Sequence, residues 1–335
     1  MRITISDQRN RNMLTRQILE ENLKSFPDDP YLLQTAAEFE LLSNNPAQCL
    51  EYTERFYALK DEKTPSTVFD LLHMLALELA GKIDEAAKEY NALLDRTDMD
   101  RKLLYRYFRF CINHGRQAEL SKMAERLNAS TVPEVKELAP FYEAEDLLLQ
   151  DKKDEALSLL ETANTDQLDF VLFAANRFNA YDWLDQALSR YLALLDKHPD
   201  RRLILANIAE VYLAKEMKAE ALSYAKQAWE TNRDDLLGQF VYAKMLAANG
   251  QYQDAEKVLK IPNRKVELPA EIGKLWTDIM TRCVQEDLAN RSFQRALDRA
   301  RHYLIFFPDD TTFQDFRARA EQELKKTQSA QKTEQ

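Results

Sequence analysis

A short phrase, in which a turn is followed by an acidic residue and then by Ala, recurs along the whole chain. Its clearest copies are GKIDEAA from Gly81, DKKDEAL from Asp151, EMKAEAL from Glu216 and GQYQDAE from Gly250. Weaker copies begin at Asn44, His114, Tyr181 and Asn290. The residues at the aligned Ala position are Cys49, Ala86, Leu120, Ala156, Ala187, Ala221, Ala255 and Ala296. Their spacings of 37, 34, 36, 31, 34, 34 and 41 residues indicate one supersecondary unit that is repeated along the chain.

The composition favours helices throughout this repeat. Only 5 Gly and 10 Pro occur among 335 residues, which leaves little material for tight β-hairpins. Hydrophobic residues make up 45% of the chain and charged residues 30%, enough for a buried core and a hydrated surface. The sequence therefore predicts an all-α fold.

The two cleanest units show two apolar helix faces each. In residues 202–235, one face consists of Ile208, Ala209 and Tyr212, and the next of Ala221, Tyr224 and Ala228. One period later the matching places hold Tyr242, Ala243, Leu246, Gly250, Tyr252 and Ala255. This helix–turn–helix pattern resembles the tetratricopeptide repeat family over residues 12–327. The chain departs from the family pattern because Leu205 or Val171 replaces the early Trp, and because only Gly81, Gly115 and Gly250 provide turn glycines.

The resemblance implies a right-handed superhelical α-solenoid that forms one domain over residues 1–327. A single helix pair cannot bury its own apolar face, so the pairs must stack on one another. Eight units are predicted at 30–63, 67–99, 101–130, 134–164, 167–201, 202–235, 236–261 and 268–308. A half unit at 6–26 precedes them, and a capping helix at 311–327 and a disordered tail at 328–335 follow. Two segments that each contain two prolines, at 128–140 and 260–271, are interpreted as bends.

The joints between units are predicted from a phrase that appears near both ends of the chain. FPDDP at 26–30 and FFPDD at 306–310 both place Pro after an apolar helix end and Asp before the next helix. Pro stops a helix because it lacks an amide donor, and Asp is a preferred N-cap residue. KHPDR at 197–201 and TNRDD at 231–235 are weaker forms of the same joint.

Several classes of function are disfavoured. The net charge of −10 disfavours nucleic acid as a partner, and no apolar run approaches the roughly 20 residues that cross a bilayer. No phosphate-binding glycine loop and no common catalytic motif is present, so a non-enzymatic protein is expected. The four histidines lack ligand-like spacing, and the three cysteines are expected to be buried free thiols. No metal and no cofactor is predicted.

The resemblance also implies where a partner would bind, because in this family the first helix of each pair lines the concave groove. Asn176 and Asn207 fall at places where relatives use Asn side chains to hold the backbone of an extended peptide. Lys102 and Arg106 match the basic half of the family's clamp for a C-terminal carboxylate. The preceding units have Gln34, Glu38 and Leu72 where the rest of that clamp would lie. A full clamp is therefore not predicted.

Two further surfaces have an open interpretation. Lys102, Arg106 and Arg109 share one helix face at i, i+4 and i+7, and they either dock an acidic peptide or form a solvated face paired with Asp98, Asp100 or nearby Glu residues. Phe240 belongs to an apolar strip, which either binds a partner helix or is buried between neighbouring helices. The strip also includes Leu203, Ala206, Leu237 and Val241.

The leading hypothesis is a non-enzymatic scaffold or adaptor whose groove binds a peptide segment or a helix of a partner protein. The alternative is a structural subunit of a secretion, envelope or polysaccharide-export assembly that packs through its ends or its convex face. The N-terminus lacks the apolar core of a signal peptide, so a cytoplasmic protein is expected. A periplasmic one is the alternative if Met1 stands in place of a leader.

Overall fold

The computed structural model describes residues 5–61, 66–198, 201–261 and 268–333. Within these ranges the chain forms nineteen helices and no β-strand, which confirms the predicted all-α fold. The first helix is α1 (Ile5–Ser25), the last is α19 (Thr311–Thr333), and a single-turn helix α8 (Pro133–Lys136) precedes the fourth pair. The eight pairs are α2 (Pro30–Leu42) with α3 (Pro46–Leu59), α4 (Thr67–Leu79) with α5 (Ile83–Arg96), α6 (Arg101–Asn113) with α7 (Gln117–Asn128), α9 (Ala139–Leu149) with α10 (Lys153–Thr162), α11 (Leu168–Ala180) with α12 (Leu184–Lys197), α13 (Arg202–Ala214) with α14 (Lys218–Thr231), α15 (Leu236–Ala248) with α16 (Tyr252–Val258), and α17 (Ala270–Ala289) with α18 (Phe293–Leu304).

The same three-residue turn joins the two helices of all eight pairs. Its middle residue has a left-handed backbone, with φ between 57° and 75°. The N–H of the residue after it donates to the carbonyl oxygen five residues earlier, over 2.8 to 3.0 Å, which closes the first helix as in a Schellman motif. The departure from the family's turn glycine therefore leaves the turn unchanged. The middle residues are Asn44, Gly81, Gly115, Asp151, Asp182, Glu216, Gly250 and Arg291.

The aligned residue of each repeated phrase is the fourth residue of a second helix and is fully buried in all eight pairs. A small side chain at this point lets two antiparallel helices approach closely, while larger residues on either side interdigitate. Ala occupies the position in six pairs, and Cys49 and Leu120 occupy it in the other two. The sequence repeat is therefore a structural repeat of helix pairs.

Aspartates begin several of the first helices, as the joints predict. Asp29 Oδ1 accepts a hydrogen bond from the Leu32 amide at 2.9 Å. Near the other end of the chain, Asp310 Oδ1 accepts one from the Phe313 amide at 3.1 Å. Both aspartates thus satisfy an amide that has no partner inside its own helix. Residues 199–200 of the KHPDR joint lie outside the described residues.

The chain divides into two compact units, residues 1–167 and 168–335. Each unit contains four helix pairs, and within each unit the pairs pack in chain order, which is the arrangement of an α-solenoid. Unit 1 also contains α1, whose Leu19 and Leu23 pack with residues of α2, α3 and α4. Unit 2 also contains α19, whose Phe313 joins a core around Trp276. One continuous domain over residues 1–327 stays a prediction.

The chain's last helix is longer than the sequence pattern indicates. The capping helix was expected to end at residue 327, yet α19 runs to Thr333. Residues 328–333, for which the sequence indicates a disordered tail, lie in this helix, since Gln, Ala and Lys favour helix there and neither Gly nor Pro interrupts it. Residues 334–335, and residues 262–267 of the second predicted bend, lie outside the described residues.

None of the helices in the described ranges combines the length and the apolar character that crossing a membrane would require.

Candidate partner-binding surface

Lys102, Arg106 and Arg109 form a cationic face on α6, the first helix of the third pair. All three side chains are exposed. In the part of the chain that the structure describes, none of the three forms an ion pair or a side-chain hydrogen bond. Asp100, one of the expected partners, instead accepts from the Leu103 amide at 2.8 Å and caps the helix. The cationic face is therefore unneutralised within its own unit.

A fourth basic residue at the start of α6 has a different role. Arg101 Nη2 contacts Glu137 Oε1 at 3.0 Å and Asp166 Oδ1 at 2.5 Å. The same nitrogen donates to Thr165 Oγ1 at 3.0 Å. These bonds hold Arg101 against the segments that precede and follow the fourth pair. The cluster of four basic residues in the sequence thus contains one structural arginine and three free cations.

A cavity of about 340 Å³ lies beside the cationic face. Leu71 of α4, Leu93 of α5 and Leu103 of α6 provide its apolar wall. Lys102 and Arg106 line it as well, whereas Arg109 does not. Sequence reasoning missed this cavity because its wall combines three helices. The remaining lining residues are Thr67, Thr97 and Asp100.

The structure brings Asn176 and Asn207 together in unit 2. Asn176 Oδ1 accepts from the Tyr191 hydroxyl at 2.5 Å and from Asn207 Nδ2 at 3.3 Å. Both acceptor positions of that oxygen are then used. In the described part of the chain, Asn176 Nδ2 keeps both of its N–H donors, Asn207 Nδ2 keeps one, and Asn207 Oδ1 remains as an acceptor, so the pair can both donate to a partner and accept from it. The sequence did not indicate the part played by Tyr191, which orients Asn176 from α12.

The apolar strip around Phe240 is only partly exposed. Leu203 and Leu237 remain 46% and 40% exposed, and they occupy equivalent positions 34 residues apart on α13 and α15. Ala206 and Val241 are buried. Phe240 is half-buried and packs against the core of unit 2. Burial between neighbouring first helices thus accounts for Ala206 and Val241 and for part of Phe240, but not for the two leucines.

None of the cysteines or histidines is among the residues that form these surfaces. Burial raises the pKa of each of the three thiols, Cys49, Cys111 and Cys283, to about 12, which makes a thiolate scarce at neutral pH. His73 Nδ1 shares a 2.8 Å hydrogen bond with Thr53, and burial lowers its pKa. Over the described residues, no three His, Cys, Asp or Glu side chains come together as a metal site would need.

Comparison with known proteins gives fold likenesses alone. No family model matches the sequence, and no curated protein matches it. Among solved structures, a tetratricopeptide repeat protein of Thermus thermophilus, TTC0263, is 21% identical, with 56% of this chain and 98% of that chain covered and a TM-score of 0.32. A tetratricopeptide repeat protein of Parabacteroides merdae is 12% identical, with 75% and 98% covered and a TM-score of 0.43. The human IFIT1 dimer with m7Gppp-AAAA is 15% identical, with 95% and 78% covered and a TM-score of 0.44.

Proposed function

We propose that this chain is a non-enzymatic scaffold or adaptor, which binds a peptide segment or a helix of a partner protein along the exposed faces of its first helices. Helix pairs satisfy their backbone hydrogen bonds internally, so the exposed positions of the first helices are free to vary in chemistry. Those positions hold the unpaired cations of α6, the amide pair of α11 and α13, and the exposed leucines of α13 and α15.

The observation on which this proposal rests is the hydrogen bond between Asn176 and Asn207. Each amide stands on a different first helix, and their mutual bond sets the orientation of both. Because Tyr191 donates a hydrogen bond that holds Asn176 in place, the pair presents its remaining N–H donors and its remaining carbonyl acceptor in one arrangement. An extended peptide backbone offers a carbonyl and an N–H that such a pair can bind, at low cost in side-chain ordering.

A peptide selection tests this proposal. Peptides are selected from a random library on the immobilised chain, and their affinities are then measured by fluorescence anisotropy for the unchanged chain and for Asn176→Ala with Asn207→Ala. Loss of two neutral hydrogen bonds at roughly 1 kcal/mol each is expected to weaken the selected peptides about thirtyfold. The matched control is Asn113→Ala, an exposed Asn of unit 1, which should leave the affinities unchanged.

Two outcomes would contradict the proposal. Either the selection yields no peptide that binds the folded chain, or the selected peptides bind the double variant as tightly as the unchanged chain. In the second case the binding surface lies away from the amide pair.

A further inference from the structure

The charge of the cationic face favours a ligand with several negative charges. The chain as a whole has a net charge of −10, yet Lys102, Arg106 and Arg109 gather on one face of α6 with no carboxylate bound to them. Neighbouring cations on this face are separated by about 5 to 6 Å along the helix axis, which is less than the screening length of about 8 Å at physiological ionic strength. The three cations therefore repel one another, and a ligand that brought carboxylates to them would relieve that repulsion.

The spacing of the cations limits the form of the ligand. Because Lys102 and Arg109 lie about 10 Å apart along the helix axis, a single carboxylate cannot bond to both. A ligand that engages all three must present more than one carboxylate along a similar length. Acidic side chains one or two helical turns apart in a peptide have this spacing. A terminal carboxylate alone does not.

The neighbouring cavity adds an apolar requirement. Its leucine wall, formed by Leu71, Leu93 and Leu103, opens beside two of the cations. Its volume of about 340 Å³ lies at the small end of the range for ligand sites and fits one aliphatic or aromatic side chain. Nucleic acid matches the charge of the face, but the polar edges of its bases would lose their hydrogen bonds to water against such a wall.

We propose that the cationic face and the leucine-walled cavity together bind an internal acidic segment of a partner protein, with one apolar side chain seated in the cavity and carboxylates on Lys102, Arg106 and Arg109. This inference rests on the proposed function, since it names the partner chemistry at one part of the first-helix surface. Charge complementarity supplies attraction and orientation. The apolar anchor adds the free energy gained when its side chain leaves water for the leucine wall.

The experiment uses the full chain and a short fluorescent peptide with an amidated C-terminus, in which one leucine is flanked by glutamates at helical spacing. Anisotropy gives the affinity for the unchanged chain and for Lys102→Glu with Arg106→Glu. Reversing two of the three charges is expected to weaken binding roughly thirtyfold. The matched control is Lys88→Glu with Lys122→Glu, which changes the net charge equally at two exposed, unpaired lysines of the same unit. The control is expected to change the affinity less than about threefold.

Changes in the peptide test the two halves of the proposal separately. Replacing its leucine by serine should weaken binding about tenfold, because the cavity loses its apolar occupant, and replacing its glutamates by glutamine should abolish measurable binding. A free C-terminus in place of the amide should leave the affinity unchanged. Circular dichroism of each protein variant verifies that it is folded.

Three results would overturn the proposal. The first is that Lys102→Glu with Arg106→Glu binds the peptide as tightly as the control Lys88→Glu with Lys122→Glu. The second is binding of the free-carboxylate peptide alone, and the third is a single-stranded RNA that binds the cationic face more tightly than the peptide does. Its failure is distinguishable from failure of the proposed function, because peptides selected through Asn176 and Asn207 report on unit 2. If those peptides bind while the acidic peptide does not, the proposed function stands and the acidic ligand is rejected.

Discussion

Glu40 and Asp287 occupy the same position of the helix-pair repeat in different compact units, nine residues before the aligned Cys49 and Ala296. Both side chains are buried. The six pairs between them hold Leu77, Cys111, Leu147, Phe178, Tyr212 and Leu246 at that position. This position of the repeat, which is apolar in the six pairs between them, thus holds a carboxylate in the first pair and another in the last.

The two carboxylates are neutralised differently. Glu40 receives two 2.7 Å hydrogen bonds from Arg16 of α1 and a third from Asn45 Nδ2, also at 2.7 Å. Asp287 is bonded by Arg299 and approached by Arg295 at 3.3 Å. The Arg16 side chain is 39% exposed, whereas that of Arg299 is 15% exposed.

The pKa values of the two arginines follow these surroundings. The hydrogen bond with Glu40 raises the pKa of Arg16. Burial on its own would lower the pKa of Arg299, but its bonds to Glu256 and Asp287 outweigh burial and raise it. A buried carboxylate is thus tolerated at this position where an arginine forms an ion pair with it. The more deeply the arginine is buried, the more of the protein's stability depends on that ion pair.

The largest expected effect is that of Arg299→Ala. It leaves Asp287 and Glu256 without their shared cation inside the core of unit 2, and loss of one partner from a buried pair costs about 3 to 5 kcal/mol. All three tryptophans, Trp183, Trp229 and Trp276, lie in unit 2, so urea unfolding followed by tryptophan fluorescence measures this loss. A loss below about 1 kcal/mol would show that Arg295, 3.3 Å from Asp287, is enough to neutralise it.

A smaller effect is expected for Arg16→Ala. Glu40 keeps its bond to Asn45, and water can replace the half-exposed guanidinium, so the free energy of unfolding should fall by about 1 to 2 kcal/mol. Amide hydrogen exchange should show faster opening of α1 and α2. The comparison between the two carboxylates fails if this variant is as destabilised as Arg299→Ala.

The smallest effect is expected for Asp287→Leu, which restores the apolar residue found at this position in the neighbouring pair. Arg299 keeps its bonds to Glu256, so no buried charge loses its partner. The free energy of unfolding should change by less than about 1 kcal/mol in either direction, again by tryptophan fluorescence in urea. A loss of several kcal/mol would instead make Asp287 a required member of the network.

Most of the fold could be predicted from the sequence because it is local. The repeated phrase positions the turn and the buried residue at the helix crossing, and both depend on contacts within about 34 residues. Glu40 and Asp287 could not be placed in this way, since an acidic residue near the end of an amphipathic helix normally indicates a surface position. Only their alignment with Leu77 and its equivalents hints at burial.

The candidate binding surfaces were predicted in part for the same reason. Helical spacing is enough to put Lys102, Arg106 and Arg109 on one face. The cavity beside them also needs Leu71 and Leu93 from two other helices, and their arrangement depends on packing angles that a sequence pattern does not contain. The sequence left Phe240 open between a partner-binding strip and burial between helices, because that choice depends on the packing in unit 2, which half-buries it.

The uniform turn within the pairs has a consequence for how this chain can vary. Asn, Asp, Glu, Arg and Gly all occupy its middle position, so the residue type there is open to substitution. The length is not, because one inserted residue would rotate the following helix by about 100° and carry its small crossing residue away from the first helix. We therefore expect substitutions at the middle position of these turns to be tolerated. Insertion or deletion of a single residue, in contrast, should disrupt the packing of the two helices of that pair.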